Sequence, residues 1–141
     1  GARHLVHCGD AGEDVVDLMS AVCLEHGIRA HVAVGNCDRA HREDAPFQPR
    51  PAGIERAEAP DFVLAGKHCL ALHGDRPAAL EKAVGSGRFD YVFTGHTHAP
   101  ADEQAGPTRV VNPGSAARPR GGPATVALLD LESGQVDWLP V

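Results

Sequence analysis

The pattern of apolar and polar positions predicts an alternation of short strands with two helices. Short apolar runs, each bounded by glycine, proline or charged residues, indicate strands. These strands cover residues 3–7, 29–34, 62–64, 68–72, 90–93, 108–112, 125–131 and 135–139. Residues 39–53 are rich in charge and proline and have no period, so a surface loop is expected there.

The clearest helical period lies in residues 13–26. Its apolar residues recur at i, i+3, i+4, i+7 and i+8 and define one apolar face: Val15, Leu18, Met19, Val22 and Cys23. Gly27 follows as a stop signal. A second, shorter helix begins at Pro77 and ends near Val84, because proline suits the first helical position.

The order of these elements predicts a mixed sheet. One helix joins the strands at residues 3–7 and 29–34, which is typical of a parallel β-α-β unit. Residues 65–67 join two strands as a hairpin, and residues 132–134 join the last two strands in the same way. We therefore expect an α/β start and a mostly β end.

Composition places the chain among ordinary globular domains. It has 141 residues, 43% hydrophobic and 23% charged, which fits one domain over residues 1–141. The net charge of −6 argues against a nucleic-acid partner, and no apolar run has membrane-spanning length. The four cysteines form no CxxC pair, and no signal segment opens the sequence, so a cytoplasmic location is expected.

Four polar motifs each follow a predicted strand: Gly9-Asp10, then GNCD at 35–38, HGD at 73–75 and GHTH at 95–98. Strand ends of an open sheet converge on one crevice, and glycine lets the backbone approach a ligand closely. The candidate ligands are Asp10, Asn36, His73, His96 and His98. Such a mixture of carboxylate, amide and imidazole suits Mn²⁺, Fe, Zn²⁺ or Ni²⁺. Each motif alone is more often a turn, so the prediction of a metal site rests on the occurrence of all four motifs in this order, each after a strand.

In the order GD, GNCD, HGD, GHTH and NPGS, the chain resembles the calcineurin-like metallophosphoesterases, in particular the small bacterial and archaeal phosphodiesterases of the YfcE type. The resemblance runs from Gly9 to about Ser115. It implies a two-layer mixed β-sandwich flanked by helices, with two divalent transition metals at the strand ends. Manganese is expected, with nickel, iron or zinc as alternatives. It also implies hydrolysis of a small phosphodiester by a hydroxide that bridges the metals.

The resemblance also implies residue roles. Asp10 would bridge the two metals, while Asn36, His73 and His96 would bind the second metal. His98 would reach the first metal, because side chains two apart in an extended chain point the same way. Asp10, Asn36 and Asp38 are the residues expected to act in catalysis. Asp38 and Asp75 are candidates to orient the ligands, and solvated turn carboxylates are the equally open alternative.

The chain departs from the family pattern at two places. The family opens with a D-x-H motif on its first strand, whereas this sequence begins at the family's second strand. We therefore expect either an upstream segment or a strand from another chain, which would make a homo-oligomer. The second departure is Cys37, where many members have histidine. A thiol is a poor acid for an alkoxide leaving group, although a small buried filler is the other interpretation of Cys37.

Two further hypotheses remain open. A protein-binding scaffold on the same fold, similar to the vacuolar-sorting subunit of retromer, would explain a lost D-x-H pair. A protein that binds a single metal would hold one ion without turnover. If the chain is an enzyme, the expected partner is a small phosphoester substrate, with neither nucleic acid nor membrane.

Overall fold

The computed structural model describes residues 1–42 and 52–141, and for His41 and Arg42 it describes the backbone alone. The elements in these ranges are β1 (His4–His7), α1 (Glu13–His26), β2 (Arg29–Ala33), α2 (Asn36–Arg42), β3 (Ile54–Ala57), β4 (Asp61–Leu64), β5 (Lys67–Ala71), α3 (Pro77–Gly85), β6 (Tyr91–Phe93), β7 (Pro100–Ala105), β8 (Thr108–Pro113), β9 (Thr125–Leu129) and β10 (Val136–Pro140).

The strands form two main sheets and one separate hairpin. The first sheet has the order β1-β2-β3, and all its strands are parallel. The second has the order β4-β5-β6-β8-β7 and is mixed. Strands β9 and β10 pair with each other in antiparallel fashion. The predicted parallel β-α-β unit and both predicted hairpins are confirmed.

The main hydrophobic core lies between the two layers. It contains residues from both sheets: Ala33, Phe62, Leu64, Cys69, Ala71, Tyr91, Phe93 and Val111. Helix α1 packs on the first sheet through Val16 and Cys23. Helix α3 packs on the outer face of the second sheet, where Ala83 meets Leu70 and Val92. The expected α/β fold, a two-layer mixed sandwich flanked by helices, is confirmed.

The apolar face predicted for α1 is confirmed only in part: Cys23 is buried and Met19 packs against the core, but the other three residues are exposed. Val15, Leu18 and Val22 are 45%, 65% and 40% exposed, whereas the buried residues are Val16, Ser20 and Cys23. The Ser20 hydroxyl donates to the Ala52 carbonyl at 2.9 Å, which satisfies the polar group on the buried side. A buried serine that is satisfied by a distant carbonyl cannot be predicted from hydrophobic periodicity.

Three elements were not predicted from the sequence. Residues 39–42, assigned to a surface loop, belong to α2; residues 43–51 of that loop lie outside the described part of the chain. Strands β3 and β7 were also missed, because their sequences IERA and PADEQA contain charge or proline instead of an apolar run. Both strands are held by their neighbours, β3 by β2 and β7 by β8.

The β4–β5 hairpin is tighter than predicted. Its turn contains only Ala65 and Gly66, with φ values of 49° and 76°, and Lys67 already belongs to β5. Positive φ at both turn residues is the geometry that matches the twist of a two-residue hairpin.

No helix within the described ranges is long and apolar enough to span a membrane.

Candidate metal and active site

The predicted ligands follow strand ends at one edge of the molecule. Asp10 follows β1, and Asn36 begins α2 just after β2. In the other layer, His73 follows β5 and His96 follows β6. Strands β1 and β2 are parallel, as are β5 and β6, so the carboxyl ends of each pair lie side by side. A hydrogen bond from the Gly95 amide to the His73 carbonyl, 3.0 Å, links the last two segments.

His73 lies at the centre of the cluster. Its Nε2 is 3.2 Å from Asp10 Oδ2, 3.1 Å from Asn36 Oδ1 and 3.3 Å from His96 Nδ1. Its Nδ1 lies 2.8 Å from the Cys8 carbonyl oxygen. A carbonyl can only accept, so Nδ1 carries the proton and donates it. In the neutral imidazole, Nε2 then has a bare lone pair that faces two oxygen atoms.

The backbone is strained at several of these positions. Asp10, His96 and His98 have φ values of 58°, 64° and 61°, in the left-handed region that residues with a side chain seldom adopt. Such strain concentrates where a structure holds a side chain for function.

Two glycines allow the segments to approach each other. A Cβ at Gly35 would overlap the Asp10 carboxylate and lie 2.5 Å from the Asp10 amide nitrogen. A Cβ at Gly9 would lie 2.7 Å from His73 Nδ1, and the φ of Gly9 is 97°. The glycines of the GD and GNCD motifs are therefore required by the contact between the loops.

Asp10 is held in its charged form. Its partial burial raises the pKa, but hydrogen bonds from the amide and thiol of Cys37 outweigh that effect, and positive charge on His73 or His96, when either ring is protonated, lowers the pKa further. The net pKa lies below the ordinary value of a carboxyl group. The Cys37 amide donates to Asp10 Oδ1 at 2.9 Å. The site therefore retains a negative charge across the neutral pH range.

Asp38 lies beneath the cluster and is not a solvated turn residue. Its side chain is 2% exposed. Its Oδ2 accepts the backbone amides of both Asp10 and Gly35, each at 2.8 Å. Its Oδ1 lies 3.3 Å from Nη2 of Arg56. Asp38 thus ties the loop after β1 to the loop after β2.

Asp75 is likewise paired. It forms an ion pair with Arg39, which also contacts Glu58 at 3.0 Å. The pair joins α2 to the segment that follows His73, so Asp75 orients the loops and does not contact the four converging side chains in the described contacts.

His98 takes a hydrogen-bond partner outside the four converging side chains. It is half-buried, and its Nδ1 donates to the Arg118 carbonyl oxygen at 2.6 Å. Because His96 and His98 have left-handed φ values, the segment is not extended, and the two rings take different partners. The expectation that they point the same way assumed an extended chain, so that reason does not apply here, and a role of His98 at the first metal stays a prediction. In the neutral imidazole, the bond to Arg118 leaves Nε2 of His98 as the nitrogen without a proton.

The NPGS segment supports the GHTH turn. The buried Asn112 donates from its Nδ2 to the Gly95 carbonyl and to the Thr97 hydroxyl, both at 3.0 Å. Its Oδ1 accepts the Gly114 amide at 2.9 Å. Asn112 therefore fixes the turn that presents His96.

The donor set fits a transition-metal ion. No three His, Cys, Asp or Glu side chains in the described part of the chain are arranged to hold a metal by themselves, so a site here would need the Asn36 amide oxygen as a further donor. Donors about 2.1 Å from an ion in tetrahedral or octahedral geometry lie roughly 3.0–3.4 Å from each other. The 3.1–3.3 Å separations around His73 Nε2 lie in that range.

Comparison with known proteins agrees with this geometry. A segment of 60 residues is 38% identical to a phosphodiesterase of Methanocaldococcus jannaschii. The match covers 43% of this chain and spans 36% of that protein's length.

Solved structures share the fold. An archaeal phosphodiesterase superimposes with a TM-score of 0.77 at 21% identity, over 99% of this chain and 84% of its own. The phosphoesterase YfcE of E. coli superimposes with a TM-score of 0.60 at 24% identity, over 99% and 85% of the two chains. The family model described as the calcineurin-like phosphoesterase superfamily domain matches residues 1–134. The sequence motifs, the sandwich and this match agree, and the chain belongs to the calcineurin-like phosphoesterase superfamily.

Proposed function

We propose that the protein is a metal-dependent phosphoesterase that hydrolyses a small phosphodiester to a phosphomonoester and an alcohol. Membership of the superfamily supports the reaction class, and the relative from M. jannaschii is itself named a phosphodiesterase. A protein-binding scaffold has no need of four polar side chains that converge at strand ends.

One observation carries the proposal. His73 donates from Nδ1 to a backbone carbonyl, so in the neutral imidazole the Nε2 lone pair faces Asp10 Oδ2 and Asn36 Oδ1. Three electron-rich atoms brought together in a partly buried site repel each other unless a cation lies among them. Neutral imidazole, carboxylate and amide oxygen are together the donors that a borderline transition-metal ion accepts.

The residues at the strand ends would hold the metal. Asp10, Asn36, His73 and His96 would bind one divalent ion, and Asp10 with Nε2 of His98 would contribute to a second. Divalent ions in such sites polarise phosphoryl oxygens and acidify water. We propose Mn²⁺ as the preferred ion, because the donors are oxygen and nitrogen atoms without a thiolate.

Cys37 favours substrates with good leaving groups. Its thiol is hydrogen-bonded to the Asp10 carboxylate, and that hydrogen bond, together with partial desolvation and the charges of Asp10 and Asp38, raises the pKa of Cys37. The thiol therefore stays protonated and is a weak proton donor to an alkoxide.

The metal requirement gives the test of this function. We expect the protein to hydrolyse bis-p-nitrophenyl phosphate, treatment with EDTA to lower the rate at least about tenfold, and Mn²⁺ to restore it. Mg²⁺ at the same concentration serves as the control, because it prefers an all-oxygen shell. Turnover that survives complete metal removal, or no turnover with any of Mn²⁺, Ni²⁺, Fe²⁺ and Zn²⁺, would overturn the proposal.

Replacing Cys37 by histidine tests the leaving-group argument. We expect Cys37→His to raise the rate on an alkyl phosphate roughly tenfold, because an imidazolium can protonate the alkoxide. The rate on p-nitrophenyl phosphate should change much less, because p-nitrophenolate leaves without a proton. Cys37→Ser is the control for loss of the thiol. Equal gains on both substrates would contradict the argument while leaving the metal site untouched.

A further inference from the structure

A buried arginine on β3 links the two loops that carry Asp10 and Asn36. The side chain of Arg56 is 9% exposed. Its Nη1 lies 2.7 Å from Glu13 Oε1, and its Nη2 donates to the Ala11 carbonyl at 3.2 Å. The same Nη2 lies 3.3 Å from Asp38 Oδ1. Arg56 therefore contacts the segment after β1 and the segment after β2 at once.

Asp38 connects Arg56 to the backbone of the two loops that form the metal site. One carboxylate oxygen faces Arg56, and the other accepts the amides of Asp10 and Gly35. A charged acceptor makes stronger hydrogen bonds than a neutral one, and a buried carboxylate is stable only if it is paired. The guanidinium thus pairs with the buried Asp38 side chain and fixes it, which in turn fixes the backbone of the two loops.

We propose that Arg56 is a positioning residue for the metal site: acting through Asp38, it sets where Asp10 and Asn36 stand and so sets the affinity for the divalent ion. The inference rests on the proposed function, because it assigns Arg56 a role at that same site. Arginine suits the position because its planar fork reaches oxygens on separate segments, whereas the single ammonium of lysine cannot span them.

The experiment measures Mn²⁺ dissociation constants by titration calorimetry for the wild type, Arg56→Gln, Asp38→Asn and the double variant. We expect Arg56→Gln to weaken Mn²⁺ binding at least about tenfold, the usual scale for a partner behind the ligands. In the Asp38→Asn background the same change should have an effect within about twofold, because the connection is already broken.

Arg109→Gln is the matched control. Arg109 binds both oxygens of Asp102, at 2.7 and 2.6 Å, as well as the Gly134 carbonyl, so it too is an arginine with several acceptors. In the sheet, Arg109 lies opposite Tyr91 at the start of β6, whereas His96 follows the other end of that strand, so Arg109 lies away from the metal site. We expect Arg109→Gln to leave Mn²⁺ affinity unchanged.

Amide hydrogen exchange without metal separates positioning from general destabilisation. We expect Arg56→Gln to speed exchange of the Asp10 and Gly35 amides at least about tenfold. The Leu72 amide, which directly follows β5 in the second sheet and donates to the Phe93 carbonyl at 2.9 Å, should change much less. Equal acceleration at all three amides, or an unchanged Mn²⁺ affinity in Arg56→Gln, would overturn the inference.

Two further outcomes also test the role of Arg56. If Arg56→Gln fails to fold, Arg56→Lys takes its place. Lysine keeps a positive charge beside Asp38, so this variant should weaken Mn²⁺ binding by an intermediate factor. Wild-type affinity in Arg56→Lys would contradict the inference. If the wild type binds no Mn²⁺, the preference for Mn²⁺ fails and the titrations are made with Zn²⁺, Ni²⁺ and Fe²⁺. If it binds none of these ions, the proposed function fails, and the exchange at Asp10 and Gly35 alone decides whether Arg56 positions the loops.

Discussion

Replacement of Asp10 by asparagine is expected to lower kcat/KM for a phosphodiester at least about 10³-fold. Asp10 is the one carboxylate among the four converging side chains, and its Oδ2 lies 3.2 Å from Nε2 of His73. Asparagine keeps the shape but removes the charge that pairs with the metal. A loss of several kcal/mol of charge stabilisation corresponds to that factor, because each 1.36 kcal/mol is tenfold in rate.

The carboxylate at Asp102 provides a matched control. The side chains of Asp10 and Asp102 are both 25% exposed, and Asp102 pairs with Arg109 away from the strand-end cluster. Asp102→Asn should leave kcat/KM within about twofold of the wild type, while the free energy of unfolding falls by about 1 kcal/mol or less. Steady-state kinetics with saturating Mn²⁺ and urea unfolding measure both. Near wild-type turnover of the Asp10→Asn variant would show that Asp10 has no role as a metal ligand.

The strand-end cluster could be predicted because its signals are local. Glycine followed by aspartate, asparagine or histidine after an apolar run marks the end of a buried strand, and parallel strands bring such ends together. Asp10, Asn36, His73 and His96 converge as that argument requires. The role of each contact could not be predicted, since the Cys8 carbonyl that fixes the tautomer of His73 lies 65 residues away in sequence.

Other parts of the site depend on long-range packing. Strand β3 contributes Arg56 from the four residues IERA, which carry no apolar run and form a strand only because β2 supplies the hydrogen bonds. The contact between Arg56 and Asp38 joins two elements whose neighbourhood is set by the whole sheet. The conformation of the GHTH turn was missed for a different reason, since the left-handed φ values of His96 and His98 remove the alternation of an extended strand.

Replacement of Gly35 by alanine is the second change with a large expected effect, although it adds only one methyl group. The added Cβ would overlap the Asp10 carboxylate and lie 2.5 Å from the Asp10 amide, a backbone atom that cannot move aside cheaply. Asp10 would have to shift by about 1 Å, a displacement that alone can cost roughly 10²-fold in rate. The free energy of unfolding should also fall by about 1–3 kcal/mol, the usual cost of overpacking.

Gly85→Ala separates this steric effect from the general effect of replacing glycine. Gly85 ends α3, no atom lies within 4 Å of a Cβ placed there, and its φ is not positive, so alanine fits. That variant should be as active as the wild type and up to about 1 kcal/mol more stable, because alanine is the better helix former. Mn²⁺ titration and phosphodiester kinetics on both variants give the comparison. Wild-type metal affinity and turnover in Gly35→Ala would show that the site does not depend on the close approach of Asp10 to Gly35. The contact between the GD and GNCD loops would then have no role in the site.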